Sequence, residues 1–380
     1  MSKKRGVVEV QFNWIFILII GGIILLFFLG VVRTQKKVAE TKISATISTD
    51  LRAILSGVEV STQTASLIGI PKAEIEYECQ GYTVGGITGM RPIASFSPNL
   101  IKSNKLFSWA LPWSIPYRAM NFIYLTSPEV RYIIVDDEPS NPDSPAKLLN
   151  ALLPQRFIAE EGKERLLMNK EIVPNGAIPS VADITDLNNY KVRFIFFSDP
   201  SSISLPPDLQ NSKHDITAIW IDPESSLPSE KKLEGYGTIT YYYSDGTDFQ
   251  EVSASVSPSP TTYYLGLPSL LAAVFAEDIE SYNCNMERAF KKLGFITAIY
   301  FDKTSEMYDH FNLLGSVCAD TYDNAKTSLT AIEEDSITLS KGLRQTEIEE
   351  IYNTAFSDLN PNSIFELNDQ AQKLSCPEIY

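Results

Sequence analysis

The chain has 380 residues, of which 44% are hydrophobic, and a formal net charge of −15 at pH 7. That length allows a substantial core outside any membrane segment. Residues 1–37 hold six basic residues and one acidic residue, a balance of +5, which leaves −20 for the rest of the chain. So acidic a remainder excludes nucleic acid as a partner, and it offers no overall attraction to an anionic membrane surface.

Residues 14–32 form one stretch without charge or proline. As a helix, these residues span about 28 Å, close to the ~30 Å hydrocarbon core of a bilayer. The stretch therefore predicts a transmembrane helix and a lipid bilayer as partner. A removed signal peptide and a buried core helix are the alternatives. A signal peptide has a shorter apolar run and a small-residue cleavage site, whereas Arg33-Thr34-Gln35 follows here.

Basic residues flank the apolar stretch on both sides, so the positive-inside rule is nearly balanced. Three lie at 3–5 and three more at 33, 36 and 37. We expect the N-terminus to be inside, because four cysteines in the remaining chain favour an extracytoplasmic domain. The predicted location is the cell membrane, with a single pass and a large C-terminal domain outside.

The basic leader, residues 1–13, contains the sequence Lys3-Lys4-Arg5-Gly6-Val7-Val8-Glu9-Val10-Gln11. A short basic leader ending in glycine, followed by a hydrophobic helix with an early acid, resembles an archaeal type IV pilin-like precursor. The resemblance covers about the first 35 residues. It implies a cut between Gly6 and Val7 on the cytoplasmic side, with the helix retained for self-association. The acid, Glu9, would be third after the cut, where the family usually has it fifth. A plain signal anchor is the alternative.

The apolar pattern of residues 33–70 predicts an amphipathic stalk helix that continues the membrane helix. Its stripe has steps of three and four residues, with one adjacent pair. We expect one helix from about Ile15 to Ser66, with Pro71 marking its end. The stripe consists of Ile43, Ile47, Leu51, Ile54, Leu55 and Val58.

Residues 71–262 alternate strand and helix patterns and predict a mixed α/β domain, with helices on both faces of one mixed sheet. The glycines of 81–89 indicate a hairpin, and Trp109–Tyr117 is interpreted as an irregular loop packed on the core. Residues 253–262 are also interpreted as a loop. Helices are predicted at Ala146–Leu153 and Lys163–Ile172. The predicted strands are Ala73–Cys79, Phe122–Leu125, Val130–Val135, Val192–Phe197, Ile216–Ile221 and Thr238–Tyr243, and Ser244–Thr247 is a hairpin turn.

Residues 263–380 predict a mainly helical C-terminal region. The fold class is therefore α/β, with a transmembrane helix, a long stalk helix, a mixed sheet domain with flanking helices and a helical end. The predicted helical segments are 270–279, 286–293, 296–311, 327–339, 347–356 and 363–374.

Cys79, Cys284, Cys318 and Cys376 permit two disulfides with three possible connectivities. Four buried free thiols are the alternative. A Cys284–Cys318 bond would join neighbouring C-terminal helices, and a Cys79–Cys376 bond would tie the chain's end to the first strand region. A structural zinc site is not expected, because no Cys-x-x-Cys pair is present and the chain has two histidines.

Acidic residues follow several predicted strands, and carboxyl ends of parallel strands are common ligand sites. Asp136, Asp137 and Asp199 are the candidates for a divalent-cation site, because Mg²⁺ and Ca²⁺ prefer oxygen ligands. The alternative is turn formation, since Asp before Pro or Gly starts turns. No catalytic residue and no other cofactor is predicted.

Two functions remain open. The first is a membrane-anchored surface protein with a structural or adhesive role, with a pilin-like subunit as its specific form. The second is a membrane-tethered enzyme or ligand-binding domain that uses the carboxylates at the strand ends.

Overall fold

The computed structural model describes residues 6–60, 65–90, 94–154, 156–158, 164–166, 168–175, 190–207, 209–210, 213–228, 231–251 and 259–380. Their helices are α1 (Gly6–Val60), α2 (Pro145–Leu152), α3 (Leu267–Phe275), α4 (Ile279–Leu313), α5 (Cys318–Leu339), α6 (Gln345–Phe356) and α7 (Ile364–Lys373).

The first sheet is almost entirely antiparallel, and only β4 and β6 run parallel to each other. Its strands are β1 (Ala65–Tyr77), β2 (Gly81–Val84), β3 (Ile87–Met90), β4 (Ser95–Phe96), β5 (Leu100–Ser114) and β6 (Arg118–Thr126), in the order β3-β2-β1-β5-β6-β4. The predicted hairpin at 81–89 is confirmed as β2 and β3.

The second sheet is mixed, as predicted. Its strands are β7 (Val130–Asp136), β10 (Asn169–Pro174), β11 (Lys191–Phe196), β12 (Asp215–Pro223), β13 (Tyr236–Ser244), β14 (Phe249–Glu251) and β15 (Thr261–Leu265). The neighbouring strands β10, β7, β11 and β12 are parallel, and β13 pairs antiparallel with β12, β14 and β15. Two further strands, β8 (Arg156–Ile158) and β9 (Glu164–Leu166), pair only with each other.

The prediction of a single sheet is wrong, because the strands form two large sheets and α1 packs on the first of them. Ile47, Leu51 and Leu55 of α1 are buried against residues of the first sheet such as Ile75 and Ile101. The opposite face of the first sheet packs on α3 and α4 within the main core. There the Trp113 ring lies 5.3 Å from the Phe290 ring, measured between centroids.

The second sheet has helices on one face, where the prediction placed them on both. Ile134, Ile195 and Ile239 share the main core with α2 and α3. The other face packs on Leu205 and Leu209, which belong to the loop after β11. A loop with two buried leucines therefore covers the face on which the sequence pattern predicted a helix.

The predicted end of the first helix at Pro71 is wrong. The first helix ends at Val60 rather than near Ser66, and Pro71 lies inside β1, where the pairing with β5 is interrupted between Gly69 and Ala73. Proline is tolerated at such an irregularity because no ladder hydrogen bond is lost there.

The Trp109–Tyr117 segment is mostly strand, because β5 continues to Ser114. Its pairing with β1 stops at Trp109, so Pro112 lies where that side of β5 has no partner from β1. Lys163–Ile172 is not a helix either, since β9 and β10 occupy most of it. Ile172 of β10 pairs with Ile134 of β7 in a parallel ladder, which outweighs the helical spacing.

The C-terminal helices are confirmed, with different bounds. The segments predicted at 286–293 and 296–311 form one helix, α4, and α5 begins at Cys318 rather than near 327. The segment predicted at 270–279 is helical only to Phe275, where α3 ends. Residues 253–258 of the predicted loop lie outside the described residues, and Thr261 and Thr262 belong to β15.

A buried arginine joins the second sheet to the corner between α3 and α4. The Arg193 side chain donates hydrogen bonds to the backbone oxygens of Ala273, Val274, Ala276 and Glu277. These are carbonyls at the end of α3 that lack helical partners. The guanidinium group therefore closes the helix C-terminus from inside the core.

Strand directions show which end of the domain lies near the apolar part of α1. After residues 61–64, β1 starts close to the end of α1. It runs antiparallel to α1, because its last residue, Tyr77, pairs with Tyr82, and the Tyr82 hydroxyl donates to the Ser48 backbone oxygen. The helix α4 begins beside Asn99, which donates to Asp278. It therefore runs away from the apolar segment.

Candidate functional site

The apolar part of α1 is uncovered along its whole length. From Trp14 to Val32 each large hydrophobic side chain is at least 40% exposed, and Leu18 reaches 76%. Among the described residues, one helix is long and apolar enough to cross a membrane, judged by length and composition. Soluble proteins rarely expose apolar patches of this size, so the segment is a candidate interaction site.

The last part of α1 belongs to the domain core. Ile47, Leu51 and Leu55 are each at most 1% exposed and lie on one side of the helix. The predicted stripe is correct at these positions and wrong at Ile43, which is 48% exposed. Burial begins instead at Ser44, and the side chains of residues 54 and 58 lie outside the described part.

The β2–β3 hairpin holds α1 where burial begins. The Tyr82 hydroxyl donates to the Ser48 backbone oxygen at 2.8 Å. At the turn, Gly85 has φ +55°, and a Cβ added there would lie 2.1 Å from the Ser44 Oγ. Only glycine combines this backbone conformation with so close an approach. We call the contact of Ser44 and Ser48 with Tyr82 and Gly85 the clamp.

The clamp was not predicted, although its hairpin was. Gly85-Gly86 between β-prone residues is a strong hairpin signal. That signal says which strands pair but not which surface the turn touches. Tyr82 and Ser48 are 34 positions apart, and no local pattern connects them.

Between the apolar segment and the clamp lies a helical segment, residues 33–43, whose described side chains are exposed and which we call the neck. It carries four basic residues and one acid, Glu40. From Val32 to Ser44 the helix rises about 18 Å. A crevice of about 640 Å³ opens between the neck and the adjacent edge of the first sheet, with Lys37, Thr41 and Lys72 in its walls.

The two disulfides have a connectivity different from the pairing considered above. Cys79 is bonded to Cys284 and Cys318 to Cys376, with Cα–Cα distances of 6.0 and 5.9 Å. The first bond ties the end of β1 to α4, and the second ties the chain's end to α5. The pairing of Cys284 with Cys318 is wrong, because these residues lie near opposite ends of the antiparallel pair α4 and α5.

Asp136 and Asp137 stand at the carboxyl end of β7, as predicted. The Asp136 carboxylate is buried, accepts from the Glu138 backbone N–H at 3.1 Å and lies 3.6 Å from the Lys147 ammonium. Asp137 accepts from the Asn175 side-chain amide at 2.6 Å. Asp136 thus has protein partners at both oxygens, whereas Asp137 is bonded at Oδ1 and its buried Oδ2 has no hydrogen-bond partner among the described residues.

Asp199 does not join them in the cavity at the strand ends. It accepts from the Ser201 backbone N–H at 2.9 Å and starts a short 3₁₀ turn. That N–H bond is the main cause that lowers the pKa of Asp199. Asp245 behaves similarly, because N–H groups of Asp248 and Thr247 lower its pKa to about 2. The turn-forming alternative is confirmed for both residues.

A polar cavity of about 220 Å³ lies at the carboxyl ends of β7 and β12. Asp136, Asp137, Asp222 and Lys232 contribute to its walls. Burial, together with the nearby Glu224, raises the pKa of Asp222. Within the described ranges, no group of three or more His, Cys, Asp or Glu side chains is arranged to hold a metal. The divalent-cation site at Asp136, Asp137 and Asp199 stays a prediction.

The leader residues 1–5 lie outside the described part of the chain, and α1 begins at Gly6. Comparisons with known proteins give no further guide: no protein-family model matches the chain, and neither does any curated protein or solved structure. Function must consequently be inferred from α1 and the domain it carries.

Proposed function

We propose that this chain is a single-pass membrane-anchored surface protein with a structural or adhesive role, and specifically a pilin-like subunit that assembles through α1. The observation that carries the proposal is the division of α1. Its apolar part from Trp14 to Val32 has no cover, whereas Ile47, Leu51 and Leu55 are core residues of the domain.

A continuous helix supports the structural role. No break separates the apolar segment from the clamp, since α1 runs from Gly6 to Val60. A helix fixed to a sheet along its last turns transmits its direction to the whole domain. Such an anchor orients neighbouring copies relative to one another, which an anchor with a flexible linker would not do.

The disulfides support an extracytoplasmic domain. Disulfides persist in oxidising compartments and are rare in reducing ones. All four cysteines are paired. Together with the single apolar helix near the N-terminus, this favours the predicted location of the domain outside the membrane.

The glycines of the apolar segment offer a direct test of assembly. A Cβ added at Gly21, Gly22 or Gly30 would have nothing within 4 Å in the same chain. Replacing Gly22 by leucine therefore leaves the fold intact and changes only contacts made with other helices. Small residues at such positions let membrane helices approach closely.

The experiment compares Gly22→Leu with Asp136→Asn in cells that make the full chain. We expect Gly22→Leu to reduce cross-linked oligomers in the membrane fraction, and Asp136→Asn to leave them unchanged. Loss of oligomers in Asp136→Asn alone would favour the ligand-binding alternative and contradict the assembly proposal.

Intact-protein mass spectrometry on material from the native membrane tests the processing step. Loss of residues 1–6 is expected, because the pilin-like resemblance implies a cut between Gly6 and Val7. An uncut N-terminus would exclude the pilin-like form and leave a plain anchored protein. Gly6→Leu is the matched variant, and we expect it to abolish the cut without affecting membrane association.

A further inference from the structure

The crevice beside the neck has a defined height above the apolar segment. Lys37 is five residues beyond Val32, about 8 Å along the helix, and Ser44 is about 18 Å beyond it. The headgroup region of a bilayer extends roughly 5–8 Å past the hydrocarbon core. If Trp14–Val32 spans the membrane, the lower rim of the crevice at Lys37 therefore lies at the outer limit of the lipid headgroups.

The walls of the crevice present two ammonium groups from different elements. Lys37 comes from α1 and Lys72 from β1, and both are exposed. Among the described residues, neither takes part in an ion pair. Of the two carboxylates in the same walls, Glu74 is paired with Lys102 at 3.2 Å, which leaves Glu76 as the opposing charge.

Neutral hydrogen-bond donors complete the walls. Thr83 supplies a hydroxyl group, whereas the Thr41 hydroxyl donates to the Lys37 backbone oxygen at 2.9 Å, and the turn at Gly85-Gly86 borders the same space. Both glycines have positive φ, and a Cβ at Gly86 would meet nothing within 4 Å. Backbone N–H groups of tight turns, uncovered by side chains, are good anion ligands.

We propose that this crevice binds the phosphate group of an anionic membrane lipid, held between Lys37 and Lys72. The inference rests on the proposed membrane anchor. It makes the neck region a local exception to the acidic character of the domain, because the neck carries four basic residues and one acid. A bound headgroup would fix the height and tilt of the domain above the bilayer.

The test uses the full-length protein in nanodiscs of phosphatidylcholine with increasing fractions of phosphatidylglycerol. Native mass spectrometry measures how much protein retains phosphatidylglycerol after release. The variant is Lys37→Gln/Lys72→Gln. The matched control is Lys291→Gln/Lys292→Gln, which removes the same charge from exposed positions of α4, on the other side of the first sheet.

We expect the wild-type protein and the α4 control to retain phosphatidylglycerol selectively. The crevice variant should need roughly 30-fold more of it, the loss typical of two lysines near a membrane surface. Equal retention by both variants would overturn the inference while leaving the anchor intact. Protein that fails to insert into either lipid would overturn the anchor itself, and with it the inference.

A second measurement separates a lipid from a soluble anion. Hydrogen exchange at the amides of Gly85 and Gly86 should slow when phosphatidylglycerol is added to protein in phosphatidylcholine nanodiscs. Inorganic phosphate at the same concentration should have no such effect. Equal protection by inorganic phosphate in neutral detergent would overturn the assignment to a membrane lipid.

Discussion

Replacing Gly85 by alanine should loosen α1 from the first sheet at the clamp. The added Cβ would lie 2.1 Å from the Ser44 Oγ and 3.1 Å from its Cβ, so the serine or the turn must move. Alanine is also strained at φ +55°. Gly86 has φ +84° with open space around its Cβ position, so Gly86→Ala has the strain without the contact.

The two variants separate backbone strain from steric conflict. A left-handed conformation costs a non-glycine residue about 1–2 kcal/mol, and both variants incur that cost. Inserting a methyl group into a packed contact costs a further 1–3 kcal/mol, roughly, and only Gly85→Ala incurs it. We therefore expect Gly85→Ala to destabilise the clamp by about 2–5 kcal/mol and Gly86→Ala by about 1–2 kcal/mol.

Hydrogen exchange of the full chain in neutral detergent measures the difference in local stability between the two variants at the clamp. The amides of α1 between Ser44 and Leu55 report local opening from the sheet. Their exchange should be faster in Gly85→Ala than in Gly86→Ala, and Ser44→Ala should reduce that difference because it removes the Oγ. Equal exchange in the two glycine variants, or no effect of Ser44→Ala, would refute the reasoning.

Three further predictions concern the domain. Arg193→Met should lower the free energy of unfolding, measured in urea, by about 3–5 kcal/mol, because it leaves buried carbonyls without a donor. The control Arg118→Met, at the surface, should lower it by less than about 1 kcal/mol. Equal losses in the two variants would contradict the role of the buried arginine. Burial and three nearby glutamates raise the pKa of Asp335 from 3.8 to about 6. The folded state therefore binds this proton more tightly, so stability should fall as pH rises from about 4 to 6, by about 1 kcal/mol after solvent screening, and Asp335→Asn should remove that part of the pH dependence. A non-reduced peptide map should contain Cys79 linked to Cys284, and a peptide joining either residue to another cysteine would contradict the fold around α4.

The parts of the fold that the sequence predicted correctly are those set by local pattern. Runs such as Val130–Val135 and Ile216–Ile221 are β-branched and apolar, and they became buried central strands. The segment Thr327–Leu339 was predicted as a helix and lies within α5. In each case the neighbours that decide the conformation lie within a few residues.

The errors concern pairing between distant segments. Pro71 ends a helix by any local rule, yet β1 contains it because its pairing with β5 is interrupted there. Lys163–Ile172 has helical spacing, but the parallel ladder with β7 makes most of it strand. The cysteine connectivity also depends on which helix ends meet, which spacing along the chain does not reveal.

The candidate carboxylates divide in the same way. Asp136 and Asp137 were placed correctly because the end of a buried strand can be read from the sequence. Asp199 was grouped with them because it also follows a predicted strand, with turn formation as the alternative. The Asp199 carboxylate accepts a hydrogen bond from the Ser201 N–H of its own turn. This local hydrogen bond competes with any site shared with Asp136 and Asp137.

Charge along the chain bears on the orientation of the proposed membrane anchor. The first 37 residues carry +5 and the rest carries −20. The helix α5 runs back along α4 and brings its acidic residues 333–335 level with Gly294, which lies about 22 Å from the start of α4. If Trp14–Val32 spans an anionic bilayer, as proposed, repulsion would act on this distal part and attraction on the neck. Both forces would favour an upright domain, because the clamp fixes the domain to α1.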